Sequence, residues 1–183
     1  WIGSGFVGQN AHLHSFSTLD NVQIDGLAEL REDLREKVKL KYNIKNSFHN
    51  HHELIEEGNY DAIVAIVRRH HTATIAKDVL SSGNNLFTEK PMASTYSQCK
   101  ELTSIASKKN LLYVIGNMRR HDSAVMYAKE YFDKIQINKN LGEMISFRLY
   151  CYAGGDYCNI DGDIKSKYTA PTNILKPLAP NWV

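Results

Sequence analysis

Three glycines in GSGFVG, at positions 3, 5 and 8, have the spacing of a phosphate-cradling turn. In such a turn Gly3 permits the tight bend and Gly5 lets the backbone approach a pyrophosphate. Gly8 lets the following helix pack close to its strand. Phe6 and Val7 complete the loop, and the helix that opens there turns its N-terminal N–H groups and dipole towards phosphate charge. The glycine pattern alone is unspecific; it gains meaning from a strand before it, a helix after it and an acid about 20 residues on. VGQNAHLHSFSTL supplies the helix, to about residue 19, and Glu29 supplies the acid at the end of the next strand. Its carboxylate is suited to accept hydrogen bonds from ribose hydroxyls. A second constellation is GNNLFTEKPMAS, where a strand runs into Glu89-Lys90-Pro91 and a helix follows. Ligands bind at the carboxyl edge of a parallel sheet. Lys90, beside a proline that restricts the local backbone, is therefore placed to meet the reactive end of a bound dinucleotide. A glycine turn in a nucleotide-free domain is the bland alternative, and Glu29 in register argues against it.

The elements that must position these residues alternate along the chain. Strands are expected at 22–30, 45–48, 61–67, 85–89 and 111–116. Helices are expected at 31–43, 50–58, 72–83 and 95–110. Asn50 and Ser94 or Thr95 are candidate N-caps, Gly58 and Gly83 are stops, and DAIVAIV reads as a strand buried on both faces. Strand and helix alternating at this spacing give parallel βαβ units in a doubly wound Rossmann-type sheet. After Gly116 the pattern changes: a helix at about 122–136, a long strand over 142–154, then a tail without periodicity. The expected organisation is therefore a dinucleotide-binding domain over 1–120 and the start of a second α+β domain for substrate and oligomerisation over 121–183. Only Trp1 and Ile2 precede Gly3, so the first strand is expected to be cut short, in a fragment of a longer protein. The tail is expected to be loop, and the fragment alone to be inactive.

Composition sets bounds on function. The 183 residues are 43% hydrophobic and 23% charged, with a net charge of +2. That is ordinary globular composition, too mildly basic to point to nucleic acid. No apolar run approaches a membrane span. Three cysteines, at 99, 151 and 158, form no CxxC, which favours a reducing, cytoplasmic setting over a disulfide framework.

Five stretches together resemble the Gfo/Idh/MocA family, the glucose–fructose oxidoreductases and inositol dehydrogenases: GSGFVGQNAH, DAIVAIVRRHHTA, SSGNNLFTEKPMA, LLYVIGNMRRHD and LGEMISFRLY. They occur in the family's order and spacing and cover roughly residues 1 to 155. The resemblance implies hydride transfer between NAD and a hydroxyl or carbonyl of a sugar, cyclitol or related polyol, with NADP as the alternative cofactor. It makes Lys90 the catalytic-site lysine, whose ammonium stabilises a developing alkoxide and takes part in proton transfer. It places Glu89 at the cofactor end of the site, Arg120 at the cofactor–substrate edge, and implies a homo-oligomer formed through the C-terminal sheet. The Lys90–Pro91 bond is a candidate for cis. Where many members have Thr-Pro, this chain has Val67-Arg68, which bears on nicotinamide contacts. The family's substrate-domain Asp and His have no counterpart before residue 183.

His49, His51 and His52 cluster at a helix start, and His70 and His71 are expected to end a strand. No HExxH or Cys/His pairing is present and no metal is expected; His71 is assigned to the cofactor crevice. Glu29 favours NAD, and Arg31, two residues on, pulls towards NADP. The alternative to an enzyme is a non-catalytic dinucleotide-binding or sensing module on the same fold. Lys90 argues for the enzyme.

Overall fold

A computed structural model of the chain describes residues 1–138, 142–146 and 148, together with the backbone at 157–158 and 164–165. The elements that frame the site are α1 (His14–Ser17), β1 (Gly26–Ala28), α2 (Glu32–Lys41), β2 (Asn46–Phe48), α3 (His51–Glu57), β3 (Ile63–Ala65), α4 (Arg69–Ser81), β4 (Leu86–Glu89), α5 (Tyr96–Lys109) and β5 (Tyr113–Gly116).

β1 pairs parallel with β2, and β3 with β4 and β4 with β5, also parallel. Ile2 joins the two sets, bridging Ala28 on one side and Ala65 on the other. Its N–H donates to Val64 O at 2.8 Å, and its own carbonyl accepts from Ile66 N at 2.8 Å. The spatial order is thus β2, β1, Trp1–Ile2, β3, β4, β5. The order reverses between Ile2 and β3, and such a reversal opens a crevice at the carboxyl ends of the strands. This is the doubly wound sheet read from the sequence, with the two-residue first strand filling its expected place.

Side chains alternate across the sheet because strand residues point to opposite faces. Ile2, Ala28, Ile63, Ala65 and Leu86 pack with Leu54, Ala76, Val79, Leu80, Leu102 and Ala106, so α3, α4 and α5 cover one face. Trp1, Leu27 and Ile66 pack with Leu13, Leu34 and Val38, so α2 and the helix after the glycine loop cover the other. Leu13, Leu27, Leu54, Val79 and Leu80 have no exposed surface. Removing any one of these to alanine costs about 2–5 kcal/mol in a packed core.

Helix starts divide by mechanism. Asn50 Oδ1 accepts from His52 N and Glu53 N, and Thr95 and Gln98 form a reciprocal capping box. The helix expected from Thr72 begins at Arg69 instead, so His70 and His71 lie in its first turn and do not end a strand. Thr72 is buried and faces the core, while Arg68 at the N-cap makes no side-chain cap. The helix after the glycine loop is also irregular: Gly8–Leu13 form a π-helical segment before α1.

A second compact unit begins at Asn117. It holds a 3-10 turn, Met118–His121, and α6 (Ser123–Asn138). Of the strand expected over 142–154, residues 142–146 and 148 are described and carry no strand. A strand needs a partner to satisfy its backbone groups, and none pairs with these residues among those described. The rest of that stretch lies outside the described residues. In the tail expected to be loop, β6 (Tyr157–Cys158) pairs antiparallel with β7 (Ile164–Lys165). The intervening sequence contains Asp161-Gly162, a strong short-range hairpin signal. Among the described residues no helix is long and apolar enough to cross a membrane.

Candidate functional site

The crevice at the switch point encloses about 920 Å³. Its walls are the glycine loop, Ala28–Arg31 after β1, His49–His51 after β2, and Ile66–Arg68 with His71, Thr74 and Ile75 after β3. It therefore brings together Gly3, Gly5, Phe6, Val7, Gly8, Glu29, Val67, Arg68 and His71 from the sequence-predicted set.

The three glycines answer to different demands. Gly3 has φ +82°, and a Cβ there would lie 2.5 Å from the Ile66 carbonyl oxygen, so the fold itself requires glycine. A Cβ at Gly8 would lie 3.0 Å from Gly3 O and 3.7 Å from the Ile66 side chain, so the helix is close-packed there. A Cβ at Gly5 would meet nothing within 4 Å, and Gly5 lines the crevice. Gly5 thus leaves open space at the crevice edge.

The loop is held from below. Glu29 Oε2 accepts from Ser4 N at 3.0 Å and Ser4 Oγ at 2.8 Å, and Oε1 accepts from Arg31 N at 3.1 Å. Gln9 Nε2 donates to Ser4 O at 2.7 Å, and Trp1 Nε1 to Gly3 O at 2.8 Å. Burial opposes ionisation of Glu29. The hydrogen bonds from Ser4 and Arg31, with the Arg31 charge, outweigh it and hold the carboxyl below its ordinary value. The crevice therefore carries a fixed negative charge at the end of β1. Ser4 and Gln9 were not singled out by the sequence. Both are buried polar residues inside a glycine-rich run, where only the contacts of Ser4 with Glu29 and of Gln9 with the Ser4 carbonyl identify a role.

Glu89 and Lys90 lie at the end of β4, in the same unit as the crevice but not among its wall residues. Glu89 Oε2 accepts from Lys90 N at 3.0 Å, and the Lys90–Pro91 bond is cis. Glu89 Oε1 lies 2.7 Å from His12 Nε2, which donates to it, and the His12 ring packs edge-on against Phe87 at 5.6 Å. Burial works against the Glu89 carboxylate, but the His12 contact and the Lys90 N–H and charge prevail and lower its pKa. His12 sits in the helix that opens at the glycine loop, so this pair ties the loop to the Lys90 segment. No local sequence signal marks it, because the partners are 77 residues apart. Arg120 lies in the 3-10 turn of the second unit and is exposed.

A family model described as an oxidoreductase family with an NAD-binding Rossmann fold matches residues 1–117. Among curated proteins, the chain is similar to a myo-inositol 2-dehydrogenase of Thermotoga maritima, 23% identical over 89% of this chain and 48% of that protein. It is also similar to an inositol 2-dehydrogenase/D-chiro-inositol 3-dehydrogenase of Shouchella clausii, 29% identical over 76% of this chain and 41% of that protein. The chain thus spans half or less of the length of these relatives. In fold it resembles the scyllo-inositol dehydrogenase of Lactobacillus casei, solved with NAD(H) and scyllo-inositol. The TM-score is 0.69 and the identity 20%, covering 74% of this chain and 40% of that one.

Proposed function

The chain belongs to the Gfo/Idh/MocA oxidoreductase family, and from that membership we propose that it serves an NAD-dependent dehydrogenase acting on a hydroxyl of a cyclitol, sugar or related polyol. The observation that carries the reading is the open crevice edge at Gly5, where a Cβ would meet nothing within 4 Å, in one crevice with the ionised Glu29. That geometry fits a dinucleotide. Gly3 and Gly8 shape the loop, and the helix N-terminus behind it favours phosphate charge. Glu29 accepts from ribose hydroxyls with the lone pairs that Ser4 and Arg31 leave, and its negative charge disfavours a 2′-phosphate, supporting NAD over NADP. Val67, Arg68 and His71 line the path towards the nicotinamide end. The cofactor, when bound, accepts or returns the hydride. Lys90 supplies positive charge to the developing alkoxide and handles its proton, while Glu89 holds the backbone of Lys90 in place.

Arg120 is assigned a cofactor or substrate contact on the family's sequence pattern alone. Residues 121–183 begin the substrate and oligomerisation domain, in a cytoplasmic homo-oligomer. The relatives matched are dehydrogenases, which does not favour a sensing module. The test is NADH formation by the natural-length protein across a panel of inositols, sugars and linear polyols, beside the Lys90→Ala variant. Turnover should be lost in Lys90→Ala while NADH binding persists. NADH binding with no turnover of any panel member by the unaltered protein would refute the enzyme reading and establish the sensor.

A further inference from the structure

Beside the crevice, whose wall includes His51, two helices bring three metal-binding side chains to one point. We propose that His51, His52 and Asp78 bind a divalent transition-metal ion of the zinc type, linking α3 to α4. Their ligand atoms all lie within 4.8 Å of one another. His51 Nε2 is 2.9 Å from Asp78 Oδ2, and His52 Nε2 is 4.0 Å from the same oxygen. Zinc bonds of about 2.0–2.2 Å in tetrahedral geometry separate neighbouring ligand atoms by roughly 3.3–3.5 Å. The two observed separations bracket that figure, and the shorter is a hydrogen bond that the metal would replace as His51 Nε2 gives up its proton.

Consecutive helical residues ordinarily diverge by about 100° around the axis. Here the two imidazole rings converge instead, with centroids 4.0 Å apart. The backbone that sets them is itself fixed, since Asn50 Oδ1 accepts from His52 N at 2.9 Å and Glu53 N at 3.1 Å. Asp78 lies near the carboxyl end of α4, where the helix dipole favours a cation. The two histidines lie at the positive end of α3, which opposes one, but the full charge of Asp78 exceeds that partial charge. Lys77, beside Asp78, pairs with Glu101 at 2.6 Å. Two imidazoles and a carboxylate suit zinc, copper, nickel or cobalt over magnesium or calcium. With three protein ligands, water takes the fourth position.

The proposal does not depend on the dinucleotide reading. Its test uses tag-free, metal-stripped protein, titrated with Zn²⁺ by calorimetry and with Co²⁺ by visible absorption. One Zn²⁺ per chain is expected, with tetrahedral cobalt bands. His52→Ala and Asp78→Asn should each weaken Zn²⁺ by at least about tenfold, the loss typical of disturbing even an outer-shell partner. The His52 side chain is 63% exposed, so its removal leaves folding intact, as circular dichroism will show. Absence of saturable binding by the unaltered protein would overturn the proposal. So would binding unchanged in both variants, which would place the ion elsewhere, such as at the neighbouring His70 and His71.

Discussion

Replacing Gly5 with valine separates what the fold needs from what the ligand needs. Gly5 does not have positive φ, and a Cβ there meets nothing within 4 Å. The variant should therefore fold with a melting temperature close to that of the parent. The new side chain instead fills the space at the loop edge of the crevice. In the proposed binding mode, dinucleotide phosphates reach backbone N–H groups through that space. Hydrogen bonds to a charged group contribute about 1.5–3 kcal/mol each, so losing two weakens binding by about 3–6 kcal/mol. That is roughly a 10²- to 10⁴-fold rise in the Kd for NADH. Fluorescence titration with NADH measures it, and thermal unfolding of the same sample confirms the fold. If the valine variant is as stable as the parent and binds NADH equally well, the crevice is not the cofactor site. If it unfolds, the open space at Gly5 has been misjudged.

Gly3→Ala should do the reverse, acting on stability before binding. A left-handed backbone costs an L-residue about 1–2 kcal/mol, and the new Cβ would also press on a backbone oxygen that cannot rotate away. A loss of at least about 2 kcal/mol is expected in denaturant unfolding, and a neutral result would contradict the Gly3 geometry. Glu29→Gln should cost about 1–3 kcal/mol at neutral pH, because a buried Ser4 donor loses its charged acceptor. The pH dependence has a definite sign. The folded-state pKa of Glu29 is depressed, so its stabilisation is present above the ordinary carboxylate pKa and is lost as pH falls through the folded value. The parent should therefore lose more stability than Glu29→Gln between neutral and strongly acid pH, with Glu89 supplying a similar loss in both. Equal losses would show that Glu29 is not held ionised by the loop.

The parts of this fold that were legible in the sequence are those written in local chemistry. Asn50 and Thr95 announce their helices because their side chains do the capping. Arg68 and Arg31 open helices without a side-chain cap, and nothing in their residue types marks the start. At α2 the N–H of the N-cap residue itself is satisfied by Glu29 Oε1, which accepts from Arg31 N. Thr72, the expected first residue of its helix, is a core residue inside α4, which begins three residues earlier. The glycine spacing, Glu29 and Glu89-Lys90-Pro91 were legible for the same reason, since each motif is contiguous or set by one βαβ unit. The crevice walls from His49 to His51 and at Thr74 and Ile75 were not, because sheet order alone brings them there.

His12 shows what local reading leaves out. On its own it is one of two histidines on a helix, with no metal-ligand spacing and no partner within a turn. In the fold it joins two chemical segments. The helix it occupies begins at the phosphate loop, and its ring nitrogen holds the carboxylate whose other oxygen holds the Lys90 backbone. Phe87, two residues before Glu89 on β4 and so on the same face of the sheet, packs against the ring, and Phe16 packs against Phe87 at 6.0 Å. The helix that opens at the glycine loop is thus linked to the Lys90 backbone by two hydrogen bonds through Glu89. The proposed cofactor end and the proposed reacting lysine are set by one structure, although 77 residues separate the partners that join them.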